Sequence, residues 1–331
     1  MKTPRTHRRG AALLTAMVIV TLVASLAAAT VWRQFRAVQI EAADRARAQA
    51  GWVLVGALDW ARLILREDAR ANEREPVDHL GEVWAVPLAE ARLSTFLAAD
   101  KGQSLDADAG PEAFLSGSIE DAQGRYNLAN AIEKKEPDGA ETRVVERLAE
   151  SAGLSRAAVQ VWLEQLRQAR HASPDAQDAP LRARSLEQLA WYGLDATARA
   201  KLEPWLVLLP EKKPVNVNTA PREVLAALAD GMNLAYAERI VQRRRNQAFR
   251  DVGELKLLLP ELPAGALDGE RVAFRSEYFF VTGRLRLDER VMQQRSLVQR
   301  EARGEVNVRR RERVSSLDET GSGQRTPLLA P

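Results

Sequence analysis

Residues 11–32, AALLTAMVIVTLVASLAAATVW, contain no charged side chain, and Arg33 closes the run. As a helix rising 1.5 Å per residue this stretch is about 33 Å long, enough to cross a hydrocarbon core of about 30 Å. The ten residues before it, MKTPRTHRRG, carry Lys2, Arg5, Arg8 and Arg9 and no acid. Basic residues on that side favour a cytoplasmic N-terminus, which leaves the bulk of the chain facing the periplasm.

The apolar pattern does not stop at Arg33. Val38, Ala42, Ala46, Ala50, Leu54, Ala57, Ala61 and Leu65 follow at helical spacing, and no proline intervenes before Pro76. A single helix is therefore expected from the membrane into a folded body, ending near Asp68, with Gly51 and Gly56 as its weak points. Two plainer readings stay open. One is a secretory signal peptide cut after Ala27-Ala28-Ala29, and the other is a simple signal anchor. The first fits poorly, because the apolar run exceeds an ordinary signal-peptide length and the helical pattern continues past it.

The 331 residues are 46% hydrophobic and 28% charged, a balance that folds and buries a core. That length suits two domains, or one domain carrying a large insertion. The formal charge of +3 sits largely in Arg-rich segments at the two ends and does not by itself imply nucleic acid. Cysteine is absent, which removes disulfides, thiol catalysis and thiolate metal sites together. His7, His79 and His171 are scattered without ligand spacing, and no G-x-S-x-G elbow, Walker loop or G-x-G-x-x-G turn occurs. The chain is not expected to be an enzyme.

Further along, residues 77–88 mix apolar and polar positions and close at Pro87-Leu88. Phe114 to Leu128 is expected as a hairpin, with Leu115–Ile119 outward, Asp121-Ala122-Gln123-Gly124 as the turn and Arg125–Leu128 returning. Glu141 to Leu209 is helical in pattern, interrupted by a polar loop over 170–184, after which Ser185 and Gln188 have the spacing of a capped helix start. In 215–259, Asn216 and Asn218 precede Thr219-Ala220-Pro221, where Thr219 is placed to cap a helix with Pro221 in its first turn. A second helix is expected over 235–245 and a third after Phe249. Strands follow at Val272–Phe274, Tyr278–Thr282, Arg284–Leu287 and Val291–Val298, and the segment from Arg303 reads as a disordered tail.

The basic leader, Gly10, and an apolar helix that turns amphipathic resemble the N-terminus of type IV pilins and pseudopilins. Asp78-x-x-x-Glu82-x-Trp84 and Ile119-x-Asp121-x-x-Gly124-Arg125-Tyr126-Asn127-Leu128, with Asn216, Asn218, Thr219 and Ala220, are similar to one branch of them. That branch is the type II secretion system minor pseudopilin, the general secretion pathway protein K (GspK) family. The resemblance implies that a prepilin peptidase cuts between Gly10 and Ala11 and methylates the new amine of Ala11. It also implies that Thr15 stands where the superfamily usually carries an assembly Glu. A carboxylate in the bilayer costs about 2.5–3.5 kcal/mol and is tolerated with a partner. A subunit with Thr15 has no such charge to pair, as suits the K-type subunit at the tip. Implied partners are the I- and J-type minor pseudopilins, the major pseudopilin, the inner-membrane platform and the lipid bilayer.

No cofactor is required by this reading, although the family resemblance brings calcium with it. Asp106 and Asp108 alternate as candidate ligands, but their loop lacks the third acid and distal Glu of an EF-hand. Residues 215–259 also resemble the helix-hairpin-helix of DNA-binding uptake proteins, which gives the alternative reading: a membrane-anchored periplasmic DNA-binding protein of a DNA-uptake or type IV pilus system. There a G-x-G hairpin brings backbone N–H groups to a phosphate. Here it reads Gly231-Met232-Asn233, so nucleic acid is not expected as a partner.

The expected fold is α+β: a pilin-like long N-terminal helix packed on an antiparallel sheet, with a large all-α insertion that contains a SAM or helix-hairpin-helix-like module. The expected divisions are leader 1–10, membrane helix 11–32 and first part of the pilin-like domain 33–128. The insertion takes 129–265, the remaining strands 266–302 and the tail 303–331.

Overall fold

Helix α1 (Arg9–Ala71) runs for 63 residues, three beyond the expected end at Asp68. The computed structural model describes residues 9–72, 74, 76–93, 112–173, 180–263, 265–287, 290–301 and 304–314. The chain falls into two compact units, Met1–Val55 and Gly56–Pro331.

In the first unit, large apolar side chains from Leu13 to Ile40 are exposed. An 18-residue window of the helix has mean hydropathy 2.4 and none of it is buried, so the helix is long and apolar enough to cross a membrane. Its hydroxyls do not go unsatisfied. Thr21 donates to the carbonyl of Val18 at 2.9 Å, Ser25 to Thr21 at 2.7 Å and Thr30 to Ala27 at 2.7 Å. Bonding back to its own helix is how a hydroxyl is tolerated where no water is available.

In the second unit the chain continues through β1 (Leu88–Arg92), β2 (Ala113–Asp121), β3 (Tyr126–Asn127), α2 (Leu128–Ile132), α3 (Gly139–Ser151), α4 (Arg156–His171) and α5 (Ala196–Leu202). Then come β4 (Leu206–Val207), β5 (Val215–Asn216), α6 (Arg222–Ala227), α7 (Leu234–Asn246), α8 (Val252–Leu258) and β6 (Val272–Ala273). The last three strands are β7 (Tyr278–Leu287), β8 (Arg290–Arg300) and β9 (Val306–Val314).

Five strands form one antiparallel sheet in the order β1-β2-β7-β8-β9. Strand side chains alternate between faces, and β7 uses both. Phe279 and Val281 pack with Leu58, Ala61 and Leu65 of α1, together with Trp84, Ile119 and Val298. Tyr278 and Phe280 point the other way, to Ala122, Val207, Leu209 and Leu297. The sheet is thus sandwiched between the end of α1 and the inserted segment, which leaves the sheet after β2 and returns at β7. The insertion has its own core of α2, α3, α4, α6 and α7 side chains, including Leu148, Trp162, Leu163, Leu225 and Ile240. Side-chain caps start its helices: Asp138 accepts from Ala140 and Glu141, and Ser155 accepts from Ala158.

Four expectations are corrected. The segment 125–128 does not fold back on β2. A 3₁₀ turn at Ala122–Gly124 redirects it, and Tyr126–Asn127 pairs in parallel with β4. Val272–Ala273 joins β5 rather than the large sheet, so the insertion extends past residue 265. The region read as a tail from Arg303 contains β9: Val306 and Val308 face the α1 core, and Arg310 to Val314 continue the pairing with β8 past a register shift. Finally, Ser185 caps no helix. The element there is 3₁₀, Glu187–Tyr192, and Gln188 accepts from the N–H of Arg184 at 2.7 Å.

Candidate functional site

Four of the residues singled out in the sequence, Asp78, Asp121, Asn216 and Thr219, meet where the insertion leaves and re-enters the sheet. Asp121 closes β2, and its Oδ1 accepts from the N–H of Gln123 at 2.7 Å. Its Oδ2 accepts three bonds: from Thr219 Oγ1 at 2.6 Å, Ser276 Oγ at 2.6 Å and Asn216 Nδ2 at 2.9 Å. Asn216 also donates to the carbonyl of Asp78 at 3.1 Å, and Ser276 N–H donates to Asp78 Oδ2 at 2.7 Å. Asp78, Asn216 and Ser276 are buried. Buried polar groups need partners in the fold, and here four chain segments supply them to one another.

The charge in this joint comes from one cation. Arg300, 2% exposed, donates from Nη2 to both oxygens of Asp78 at 2.6 and 2.5 Å and to the carbonyl of Ser276 at 2.9 Å. Its Nη1 reaches Asp68 of α1 at 2.9 Å, and the guanidinium lies 4.9 Å from the ring centre of Phe279. Burial opposes the charge on Arg300, but Asp78 and Asp68 outweigh it and raise the guanidinium above its ordinary value. Burial, with Glu82 nearby, pushes Asp68 up to about 6 against the pull of Arg300. Burial likewise pushes Asp121 up to about 6, opposed by the hydrogen bonds from Ser276 and Thr219.

The other singled-out residues buttress this joint. Glu82 accepts from Asn72 Nδ2 and Trp84 Nε1, each at 2.7 Å, and from His79 N–H at 2.9 Å. Trp84 sits edge-on to Phe279 with ring centres 5.3 Å apart. Gly124 has no room for a side chain, since a Cβ there would stand 2.9 Å from Thr219 Oγ1. Arg125 pairs with Glu120 at 2.8 Å. Asn127 ties β3 to the segment after β4, accepting from Leu209 N–H at 3.0 Å and donating to the carbonyl of Glu211 at 2.7 Å. Asn218 exchanges two bonds with the backbone of Phe249, at 2.9 and 2.8 Å. Thr219 was expected to cap a helix. Its hydroxyl goes to Asp121 instead, and Pro221 holds the N-cap position of α6 without a side-chain bond. Ala220 is buried, and its carbonyl accepts from Arg244.

Sequence reading missed Ser276, Arg300, Gln123 and Asp68. Arg300 had a signal: period two along β8 puts it on the same face as buried Val298. Ser276 had none. Thr15 lies within α1, as do Gly10 and Ala11.

Among the described residues, the one cluster of three carboxylates and two arginines of the helical hairpin, Arg243 and Arg244, are already engaged. Asp68, Asp78 and Glu82 bring carboxylate oxygens within 4.8 Å of one another. Arg300, Ser276, Asn72, His79 and Trp84 already engage those oxygens, so a calcium ion would have to displace the guanidinium. Asp106 and Asp108 lie outside the described residues. In the helical hairpin, Gly231 has the left-handed φ of +89° that a tight turn needs, but Asn233 caps α7 by accepting from Tyr236 N–H. Arg244 is folded inward, donating to the carbonyls of Val217 and Ala220 at 2.7 Å each, and Arg243 lies 3.5 Å from Glu254. Arginines committed in this way do not form a phosphate-binding surface.

A long apolar helix that continues into an antiparallel sheet, with a helical insertion locked to that sheet by a buried polar joint, defines a membrane-anchored, pilin-like α+β protein. Residues 215–274 match the family model for type II secretion system (T2SS), protein K. Over 330 residues, covering 93% of both chains, this chain is 30% identical to the type II secretion system protein K of Pseudomonas aeruginosa. It is 27% identical over 328 residues to that of Pectobacterium carotovorum, covering 89% of this chain and 93% of the relative. A crystal structure of the GspK-GspI-GspJ complex from the enterotoxigenic Escherichia coli type 2 secretion system contains a chain of the same fold. The TM-score is 0.62 at 18% identity, over 83% of this chain and 99% of that one. The chain belongs to the type II secretion system protein K family and is a minor pseudopilin of that system.

Proposed function

We propose that this chain caps the tip of the type II secretion pseudopilus and helps to start its assembly for protein export across the outer membrane. The observation that carries the reading is the insertion. It is locked to one face of the sheet by Asp121, Asn216, Thr219 and Ser276, so a bulky body is a fixed part of the subunit. Such a body hinders another subunit from stacking above it, and a subunit with Thr15 needs no neighbour in that place. The helix then serves first as an inner-membrane anchor with its N-terminus in the cytoplasm, and later packs against neighbouring helices. A prepilin peptidase releases the leader between Gly10 and Ala11 and methylates Ala11. The role in this reading is structural.

The partners are the I- and J-type minor pseudopilins, as the composition of the related Escherichia coli complex suggests. The full-length chain, extracted in detergent from cells that make all three, should co-elute with both. Elution alone in their presence would overturn the tip-complex reading.

A further inference from the structure

Asp121 is a buried carboxylate, and among the described residues every group that hydrogen-bonds it is neutral. Its partners are the hydroxyls of Thr219 and Ser276, the amide of Asn216 and the N–H of Gln123. The charge of Asp78 has the same sign and pushes Asp121 up further. The cation of the joint, Arg300, is committed to Asp78, Asp68 and the carbonyl of Ser276. From the other elements packed here, Glu82 faces Asn72, His79 and Trp84, and Arg244 faces the carbonyls of Val217 and Ala220. Glu120 and Arg125, beside Asp121 in sequence, pair with each other. Four carboxylates therefore share this joint with one guanidinium.

A second feature concerns the Thr219 hydroxyl, which has two acceptors within reach: Asp121 Oδ2 at 2.6 Å and the carbonyl of Asn216 at 3.4 Å. An ionised Asp121 takes the hydroxyl's hydrogen. A protonated Asp121 can donate to Thr219 Oγ1 instead, once that hydroxyl turns to Asn216. Asn216 Nδ2 keeps its other acceptors, the carbonyl of Asp78 and Ser276 Oγ, at 3.1 and 2.9 Å. One hydroxyl rotation therefore lets the network satisfy either protonation state.

We propose that the joint is a proton-binding latch, holding a proton on Asp121 in mild acid and tightening the insertion onto the sheet when it does. Burial supports the direction, since it lifts Asp121 to about 6. The sign follows from linkage. A carboxyl raised in the folded state binds a proton there that the unfolded chain releases down to about pH 4, so the fold gains stability as pH falls from about 6 towards 4. That gain is lost again as pH rises through about 6.

The test is infrared difference titration of the full-length protein in detergent with a chelator present, following the C=O stretch of protonated carboxyls. The wild type should develop this band with a midpoint near pH 6, and Asp121→Asn should remove part of it. Asp68, also raised to about 6, supplies the other part, so Asp68→Asn should leave the Asp121 component in place. Thr219→Val removes the 2.6 Å donor to the ionised form. The acceptor lost to the protonated form is the weaker partner, because it requires the hydroxyl to turn to a carbonyl 3.4 Å away, so the Asp121 midpoint should move to higher pH. If Asp121→Asn does not fold, the shift in Thr219→Val decides. No carboxyl protonating above about pH 5 would overturn the proposal. So would a band unchanged in Asp121→Asn or a midpoint unmoved in Thr219→Val. A band abolished by added calcium would also overturn it, because a metal ion rather than a proton would then balance the carboxylates.

Discussion

At the scale of single residues, the joint depends on Arg300, whose guanidinium is spread over Asp78, Asp68 and a backbone carbonyl. Breaking a buried ion pair by removing one partner costs about 3–5 kcal/mol, because the remaining charge is left uncompensated. Arg300→Ala should lower stability by about that amount, read as an earlier urea midpoint of the full-length protein in detergent. A loss below about 1 kcal/mol would mean that water reaches Asp78 after all. Local sequence made half of this site legible. Asp78, Asp121, Asn216 and Thr219 stood out, but their shared partners did not. Ser276 lies 155 residues from Asp121 and carries no mark of its role, and local chemistry cannot announce a contact at that distance.

At the scale of elements, α1 was legible because helical periodicity and the absence of proline act locally, and β7 because its apolar run and the alternation of Arg284–Leu287 do. The failures had one cause. Short segments such as Tyr126–Asn127 and Val272–Ala273 are strands only by virtue of a distant partner, and β9 was masked by its arginines, which outnumber Val306 and Val308 in composition. The contact between α1 and the sheet makes its own prediction. Leu65 is fully buried among Trp84, Phe279 and Val298, so Leu65→Ala should cost about 2–5 kcal/mol of stability. Trp60→Ala, on the half-exposed side of the same helix, should cost clearly less. Equal losses would argue against the packing of α1 on this sheet.

At the scale of the whole molecule, helix α1 runs unbroken from Arg9 to Ala71, and on the proposed processing the mature N-terminus is also the start of its apolar stretch. Intact-mass measurement of the protein from its native membrane should give a chain beginning at methylated Ala11. A start near Thr30 would mean that an ordinary signal peptidase had cut within that stretch. The large α+β frame with its helical insertion was readable from sequence because each part has its own periodicity. The route of the chain through the frame was not. Neighbouring strands β2 and β7 pair from Ala113–Leu287 to Asp121–Phe279, and everything between is the insertion. This connectivity sets a timetable. During export β1 and β2 emerge early and can pair, but the other side of β2 finds no partner until the whole helical excursion has followed it. Loop closure of that length is slow, and an unpaired strand edge is exposed while it waits. On the proposed tip position, the face that joins the insertion to the sheet is therefore completed late, after the whole excursion has been exported.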